Sequence, residues 1–254
     1  MAALPRRSLL GVALLLAGCG GEPAGDSFEH RSRAVGETLE HRVLVPEERA
    51  ARPPLLVFLH GRGGGPESTV SEELEDALAD AGRRAPIVLL PDGGEASYWH
   101  NRRDGAWARM VVREAIPAAI ERLGADPDRV AIGGISMGGF GALHLAAESP
   151  LAFCSVAAHS PAVFAKRPRA GSPFAGAFDD ARDFERNDLI ERARRIPPGT
   201  WVDIGDDDQF APAVRKLVAR MREPRYREWD GGHDFTFFTK ETRTWLRFHV
   251  ERCS

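Results

Sequence analysis

The chain has 254 residues, of which 43% are hydrophobic, and this is enough for one large domain with a sizeable core. Its formal net charge of −3 at pH 7 describes a mildly acidic protein and gives no reason to expect nucleic acid as a partner. No internal repeat or long low-complexity tract is visible, so we expect a single domain and not a repeat array.

Residues 1–18 have the pattern of a bacterial lipoprotein signal peptide. Arg6 and Arg7 precede an apolar run over residues 9–16, which is too short for a stable membrane anchor but typical of a secretory leader. The run ends in Leu16-Ala17-Gly18-Cys19, which resembles the lipobox, where the cysteine is diacylated and becomes the first mature residue. We therefore expect an exported lipoprotein of the cell envelope, in the periplasm or at the cell surface, anchored in the membrane through lipid on Cys19.

The alternative is an ordinary signal peptide, cleaved near Ala17 or Gly18, in which Cys19 has no role. In both cases removal of the leader leaves 32 basic residues against 37 acidic ones, a formal charge of −5. Residues 19–36 are rich in Gly, Glu, Pro, Ser and Arg, which favours a flexible tether. The folded domain is then expected to span residues 37–254.

The first half of this domain alternates predicted strands with helices. Residues 38–45 indicate a partly exposed strand, and residues 55–59 are a continuous apolar run that suits a strand buried on both faces. The Gly-rich loop that follows, residues 60–65, is not a P-loop, because Pro66 stands where a Lys-Ser/Thr pair is needed. No dinucleotide fingerprint is present either, so no cofactor is expected.

The next predicted elements are a helix, a buried strand and a long amphipathic helix, over residues 72–81, 87–90 and 107–123. An aromatic loop with Trp99 lies between the last two. Trp99 could form a wall of a substrate pocket or cover the edge of the core, and the sequence favours neither.

A short apolar run then stops at Ser136, which stands between Gly134 and Gly138, and the chain continues with helical character. This pattern predicts a nucleophile elbow, a sharp strand-to-helix turn that exposes a strained serine and requires small neighbours. The serine hydroxyl would lie at the positive end of the helix dipole.

The remaining elements place further polar residues after strand ends. A strand over residues 153–158 is followed by His159, and a Pro/Gly-interrupted stretch over residues 164–186 predicts a surface excursion or partial lid. Strands over residues 201–205 and 226–229 are followed by an acidic run and by His233. This alternation predicts an α/β-hydrolase fold, a mostly parallel sheet covered by helices on both faces.

Six motifs carry a resemblance to a known family: Leu59-His60-Gly61, Pro91-Asp92-Gly93, Glu114-Ala115-Ile116-Pro117, Gly134-Ile135-Ser136-Met137-Gly138-Gly139, Gly205-Asp206-Asp207-Asp208-Gln209-Phe210 and Gly231-Gly232-His233-Asp234-Phe235. From about residue 39 to residue 245 the chain resembles the Putative esterase family of α/β hydrolases, which includes S-formylglutathione hydrolase (esterase D), feruloyl and enterobactin esterases and the mycolyltransferases. The resemblance implies a serine esterase with Ser136 as nucleophile, His233 as base and Asp208 as acid.

Asp206 and Asp207 remain alternatives for the acid, since three adjacent carboxylates repel one another and only one is needed. A metal site at these carboxylates would require further ligands at suitable spacing, which the sequence lacks, so no metal is expected. In hydrolases of this kind the backbone N–H groups after the first buried strand and after the nucleophile form the oxyanion hole, here Arg62 and Met137.

Further residues are open to more than one interpretation. His60, Trp99 and His159 are candidates for the substrate pocket because they follow strand ends. Cys154 and Cys253 could form a disulfide after export or remain two unrelated thiols.

Three functions fit these residues. The first is a serine hydrolase that cleaves a small-molecule or carbohydrate-linked carboxylic ester through an acyl-enzyme. The second is an acyltransferase with the same triad, and the third is a non-catalytic envelope-binding protein on the same fold. A binding protein would have no need for the complete triad and Gly-rich loop, so the sequence favours an enzyme.

Overall fold

A computed structural model describes residues 27–149 and 151–254 of the chain. The predicted leader, the predicted lipidation site Cys19 and residues 19–26 of the predicted tether lie outside the described residues. Within the described part, no helix has both the length and the apolar character needed to cross a membrane.

The described strands form one eight-stranded sheet in the order β1-β2-β4-β3-β5-β6-β7-β8. The strands are β1 (Ser27–Arg31), β2 (Thr38–Leu44), β3 (Leu55–Leu59), β4 (Ile87–Leu90), β5 (Val130–Gly134), β6 (Ser155–His159), β7 (Trp201–Gly205) and β8 (Arg225–Trp229). The β1–β2 and β2–β4 pairs are antiparallel, and the pairs from β4 to β8 are parallel. The predicted mostly parallel sheet is therefore confirmed.

Helices cover both faces of this sheet. They are α1 (Glu72–Ala81), α2 (Trp107–Met110), α3 (Ile116–Leu123), α4 (Met137–Glu148), α5 (Ala181–Asn187), α6 (Ala211–Val218), α7 (Phe235–Lys240) and α8 (Thr242–Arg252). A π-helical segment, Val111–Ala115, joins α2 to α3, so the three form one continuous helical stretch.

The alternation of side chains along β3 shows how the core divides into two layers. Leu55, Val57 and Leu59 pack with the layer that contains α2, α3, α4 and α6. Leu56 and Phe58 point the other way and pack with α1 and α8. Because successive side chains of a strand point to opposite faces, a fully apolar strand requires cover on both, which is the arrangement seen.

The structure corrects the predicted tether. Its last part contains β1, which pairs with β2 and buries Phe28, followed by a turn up to Gly36. Glu114 holds this turn, since its carboxylate accepts hydrogen bonds from Ser32 Oγ (2.5 Å) and from the backbone N–H of Ala34 (3.0 Å). The sequence did not predict this strand, because five residues with a single fully apolar side chain show no hydrophobic periodicity.

Cys154 and Cys253, which the sequence leaves either bridged or free, are joined by a disulfide with a Cα–Cα distance of 5.4 Å. Cys154 directly precedes β6, and Cys253 directly follows α8. The bond therefore fastens the C-terminal helix to the central sheet.

Candidate active site

Ser136 lies at the corner between β5 and α4 with φ 55° and ψ −111°. A positive φ is strained for a residue with a side chain, so the surrounding structure must hold it. The Ser136 N–H donates to the carbonyl of His159 (3.0 Å), and the Ser136 carbonyl accepts from the N–H groups of Phe140 (3.0 Å) and Ala162 (2.9 Å). The corner therefore has the geometry of the predicted nucleophile elbow.

The two glycines that flank the serine are required by close backbone contacts. A Cβ on Gly138 would lie 1.8 Å from the carbonyl oxygen of Leu59, and a Cβ on Gly134 would lie 2.5 Å from the backbone of Gly138. Both distances are far below any real Cβ contact. The small residues of the sequence motif thus reflect the approach of α4 to the ends of β3 and β5.

His233 connects the serine to a carboxylate. Its Nδ1 lies 2.7 Å from Asp208 Oδ2, and its Nε2 lies 2.8 Å from Ser136 Oγ. A carboxylate only accepts hydrogen bonds, so Nδ1 carries the proton and Nε2 is left to accept the hydroxyl proton. The Asp208 side chain is fully buried and also accepts from the N–H of Phe210 (2.8 Å), whereas the side chain of His233 is 19% exposed.

The two neighbouring aspartates do not reach the histidine. Asp206 and Asp207 are exposed, and Asp206 Oδ1 accepts from the N–H of Gly231 at 3.1 Å. The N–H of Asp207 donates to the Gly231 carbonyl at 3.0 Å. These bonds hold the loop after β7 against the loop after β8, and Asp208 is the one of the three that lies beside His233.

The loop after β3 lies directly against the serine. A Cβ on Gly61 would lie 3.6 Å from Ser136 Cβ, so there is little room between this loop and the nucleophile. Among the described groups, no hydrogen-bond acceptor is found for the backbone N–H of Arg62 or of Met137. Both amides are available to a ligand, and their role in an oxyanion hole stays a prediction.

The side chains of the three residues predicted to line the pocket are buried in the core, where they hold the neighbouring loops. Trp99 is fully buried and donates from Nε1 to the carbonyl of His60 at 3.2 Å. His60 accepts from the Gly93 N–H at Nε2 (3.2 Å), and its Nδ1 lies 2.9 Å from the Gly61 carbonyl. Burial lowers the pKa of His60 more than its bond to Gly61 raises it, so the ring is neutral.

His159 also faces away from the cleft. Its ring is buried, packs beside the stacked rings of Phe58 and Trp245, and places Nδ1 2.9 Å from Asp203 Oδ2. The sequence suggested a pocket because all three residues follow or lie near strand ends. Their side chains point into the core, and their contacts hold the backbone of the β3 loop and the elbow.

An aromatic wall beside the triad was not predicted. Phe210 and Phe238 have ring centroids 5.1 and 5.3 Å from that of His233. Phe174 lies 5.2 Å from Phe210, and the Arg62 guanidinium lies 5.6 Å from the Phe174 centroid. Phe210 could have been found from its place two residues after Asp208, but Phe174 lies in the irregular excursion and gives no periodic signal.

The excursion over residues 164–186 is held against the domain. Arg102 donates to the carbonyl of Gly176 (2.8 Å) and to the carboxylate of Asp179 (3.2 Å). Further along, the buried Asp183 carboxylate lies 3.0 Å from His100 Nε2. These polar contacts fix the segment that carries Phe174 against Phe210, the ring that packs on His233.

Comparisons with known proteins agree with this architecture. The sequence profile of the Putative esterase family matches residues 32–242. Over 257 aligned residues, the chain is 25% identical to an S-formylglutathione hydrolase of Paracoccus denitrificans, covering 89% of this chain and 92% of that protein.

Solved structures share the fold at low sequence identity. A ferulic acid esterase superposes with a TM-score of 0.74 at 19% identity, covering 89% of this chain and 96% of the esterase. An S-formylglutathione hydrolase from Agrobacterium tumefaciens gives 0.73 at 20% identity, covering 92% and 98%. Since the family profile spans most of the chain, the protein belongs to the Putative esterase family and is a carboxylic ester hydrolase with an α/β-hydrolase fold.

Proposed function

We propose that Ser136, His233 and Asp208 form the catalytic triad of this hydrolase and that esters are cleaved through an acyl-enzyme on Ser136. The observation that carries the proposal is the continuous hydrogen-bond chain from Ser136 Oγ through the imidazole to Asp208. A serine hydroxyl is a weak nucleophile until a base takes its proton, and this chain supplies the base.

In the acylation step, Ser136 Oγ attacks the ester carbonyl carbon while His233 Nε2 takes the hydroxyl proton. The buried Asp208 carboxylate keeps Nδ1 protonated and stabilises the imidazolium that forms. The imidazolium then gives its proton to the leaving alcohol as the bond from carbon to that oxygen breaks. In deacylation, water attacks the acyl carbon and its proton goes to Nε2; the bond between the acyl carbon and Ser136 Oγ then breaks, the proton passes from Nε2 to Oγ, and the carboxylic acid leaves.

The negative charge that develops on the carbonyl oxygen requires donors. The N–H of Met137 is the first of α4, and the N–H of Arg62 belongs to the loop that lies against Ser136. We assign both groups to the oxyanion hole. The positive end of the α4 dipole acts at the same place. Each such donor contributes about 2.7–4 kcal/mol of transition-state stabilisation in comparable sites.

The substrate is a small-molecule or carbohydrate-linked carboxylic ester. Similar proteins include an S-formylglutathione hydrolase and a ferulic acid esterase, so thioesters and aromatic esters are both candidates. The aromatic wall of Phe174 and Phe210 beside His233 supports an apolar group close to the scissile bond.

We also propose that the mature protein is exported and held at the membrane of the cell envelope through lipid on Cys19. The lipobox-like Leu16-Ala17-Gly18-Cys19 supports the anchor, and the bond between Cys154 and Cys253 supports export, because structural disulfides persist in oxidising compartments. A chain expressed with its own leader should incorporate a palmitate analogue and sediment with membranes. Equal labelling of the Cys19→Ala chain would contradict the proposal.

The triad is tested with a fluorophosphonate probe and a panel that contains 4-nitrophenyl esters of increasing acyl length, methyl ferulate and S-formylglutathione. We expect the probe on Ser136 in the wild type, hydrolysis of at least one ester, and loss of both in Ser136→Ala and His233→Ala. A folded wild type that is neither labelled nor active would refute the assignment. Labelling with product released only after an alcohol acceptor is added would instead identify an acyltransferase.

A further inference from the structure

A cavity of about 440 Å³ lies on the far half of α4, away from the triad. Its walls are formed by α2 and the π-helical segment that follows it, by α4, and by the end of α5 with the residues beyond it. None of the proposed catalytic residues lines it. The volume lies within the range of small-molecule sites and is too large for a single small ion.

The walls of this cavity are strongly basic, although the whole chain is acidic. Four arginines line it, Arg109, Arg113, Arg186 and Arg192, against one carboxylate, that of Glu148. Arg192 is paired with Glu148, and Arg186 lies 3.3 Å from the buried Asp183. Arg109 and Arg113 are exposed at the rim of the cavity, and within the described chain their guanidinium groups make no hydrogen bond or ion pair, so both are free to bind an anion.

The spacing of these two arginines adds to the argument. Arg109 and Arg113 are four residues apart in one helical stretch, where like charges repel each other. The second of them belongs to the π-helical segment Val111–Ala115, and such segments are rare and frequent at functional sites. An anion between the two guanidinium groups would remove the repulsion.

A buried histidine completes the cavity wall. His144 on α4 is 6% exposed; its Nδ1 is closed off from solvent, and its Nε2 makes no hydrogen bond among the described groups. Burial, together with the nearby His100 and Arg192, lowers the pKa of His144 to about 3, so its ring is neutral and carries one N–H. Because Nδ1 is closed off from solvent, a ligand in the cavity meets this ring through Nε2, whose N–H in the neutral imidazole can donate a hydrogen bond.

We propose that this cavity binds the phosphate group of an organic phosphate, with Arg109 and Arg113 as its main contacts and His144 as a neutral hydrogen-bonding partner. Guanidinium groups bind phosphate oxygens in pairs, and two unpaired ones on one wall match such a group. The space beyond the phosphate accommodates the organic part. The site is separate from the ester-cleaving centre and does not rest on the function proposed for it.

The binding test uses the mature chain in a non-ionic detergent. Sodium pyrophosphate and glucose 6-phosphate are titrated by calorimetry at constant ionic strength, with sodium chloride as the salt control. We expect saturable binding that Arg109→Gln with Arg113→Gln weakens by about tenfold or more and His144→Phe by about threefold or more. His144→Gln, which keeps a hydrogen-bonding group, should bind better than His144→Phe.

Arg194→Gln with Arg222→Gln is the matched control, because these exposed arginines line a different cavity that contains no buried histidine. The control pair should keep wild-type affinity, and every variant should keep wild-type hydrolysis of a short ester and a wild-type thermal unfolding profile.

A second arm identifies the source of the phosphate. Vesicles of phosphatidylglycerol are floated with the Cys19→Ala chain, against vesicles of phosphatidylcholine alone. Flotation that requires Arg109 and Arg113, without binding of either soluble probe, would assign the site to a lipid headgroup. Absence of saturable binding in both arms, or an equal loss in the control pair, would overturn the proposal.

Discussion

This enzyme contains two histidine–aspartate pairs with nearly equal hydrogen-bond distances, on neighbouring strands of the sheet and the loops that follow them. His233 and Asp208 lie on the loops after β8 and β7, and His159 and Asp203 lie opposite each other in β6 and β7. The Nδ1–Oδ2 distances are 2.7 and 2.9 Å. Hydrogen-bond geometry therefore does not distinguish a catalytic pair from a structural one.

The second ring nitrogen makes the difference. His233 Nε2 contacts Ser136 Oγ, and its side chain is 19% exposed. His159 Nε2 is buried and has no hydrogen-bond partner within the described chain, and Asp203 is shared with Trp201 Nε1 at 2.6 Å. A substrate can reach the first pair and not the second.

A second serine–histidine contact makes the same point. Ser155 Oγ lies 2.6 Å from His249 Nδ1, closer than Ser136 lies to His233. Ser155 is buried in β6 beside Cys253, and the other nitrogen of His249 has no hydrogen-bond partner among the described residues. The elbow, the neighbouring Gly-rich loop and access to solvent therefore identify the nucleophile, and the serine–histidine distance alone would select the wrong residue.

The sharpest test of this contrast replaces the two serines separately. Ser136→Ala should lower kcat for a short ester by about 10⁶-fold, because the attacking oxygen is lost. Ser155→Ala should leave kcat within about twofold and lower the free energy of unfolding by about 1–3 kcal/mol, because His249 loses a buried partner. Steady-state kinetics and urea unfolding measure both; a large loss of kcat in Ser155→Ala would invalidate the assignment.

The two aspartates give the next largest contrast. Asp208→Asn should lower kcat by about 10⁴-fold, because the amide favours the wrong tautomer of His233. Asp203→Asn should keep kcat within about threefold while losing about 1–3 kcal/mol of stability through its bonds to His159 and Trp201. Asp207→Asn is the control, since its exposed carboxylate makes no side-chain bond among the described residues. Equal losses at positions 207 and 208 would mean that another group is the acid.

The elements that the sequence predicts well are those with a local physical cause. β3 is an unbroken apolar run, α1 has apolar residues at helical spacing followed by Gly82, and Ser136 is flanked by the glycines that its turn requires. Asp208 was also placed correctly beside His233, although that choice came from family resemblance.

The features that the sequence could not supply depend on direction or on distant partners. Trp99, His60 and His159 follow strand ends, but which way a loop side chain points is decided by packing that no local pattern records. β1 is stabilised by pairing with β2 and by Glu114, more than 80 positions away along the chain. Phe174 packs on Phe210, beside the triad, because its segment is held by Arg102.

Removal of the disulfide tests whether the buried contacts among Ser155, His249 and Cys253 affect stability without affecting the active site. Replacing both Cys154 and Cys253 by Ser should cost about 2–5 kcal/mol of unfolding free energy, since the bond closes a loop with a sequence separation of 99. We expect unchanged kcat at 25 °C, because neither residue contacts the triad. Chemical denaturation of wild type and variant measures the loss, and addition of a reductant should destabilise only the wild type. A matched fall in kcat under native conditions would show that the two regions are coupled.

The smallest expected effect is on the pH dependence of the free energy of unfolding, which should depend on the buried His249. Burial, with a further contribution from the nearby His159, lowers the pKa of His249 to about 3, against 6.5 for a free histidine. Between these values the unfolded chain binds a proton that the native protein does not. The contribution of His249 to the free energy of unfolding is therefore fully present above about pH 6.5. It decreases as the pH falls, by at most about 1.4 kcal/mol per pH unit.

His249→Gln removes the titrating group and should reduce that slope by the same amount between about pH 6 and pH 4, measured by urea unfolding at each pH. Ser155→Ala is the matched control, because it disturbs the same contact and keeps the histidine. The pH dependence of kcat/KM should be identical in wild type and His249→Gln, since the proton acceptor in catalysis is His233. If the slope of stability is unchanged in His249→Gln while the rate profile shifts, His249 is part of the catalytic machinery and the distinction between the two serine–histidine contacts is wrong.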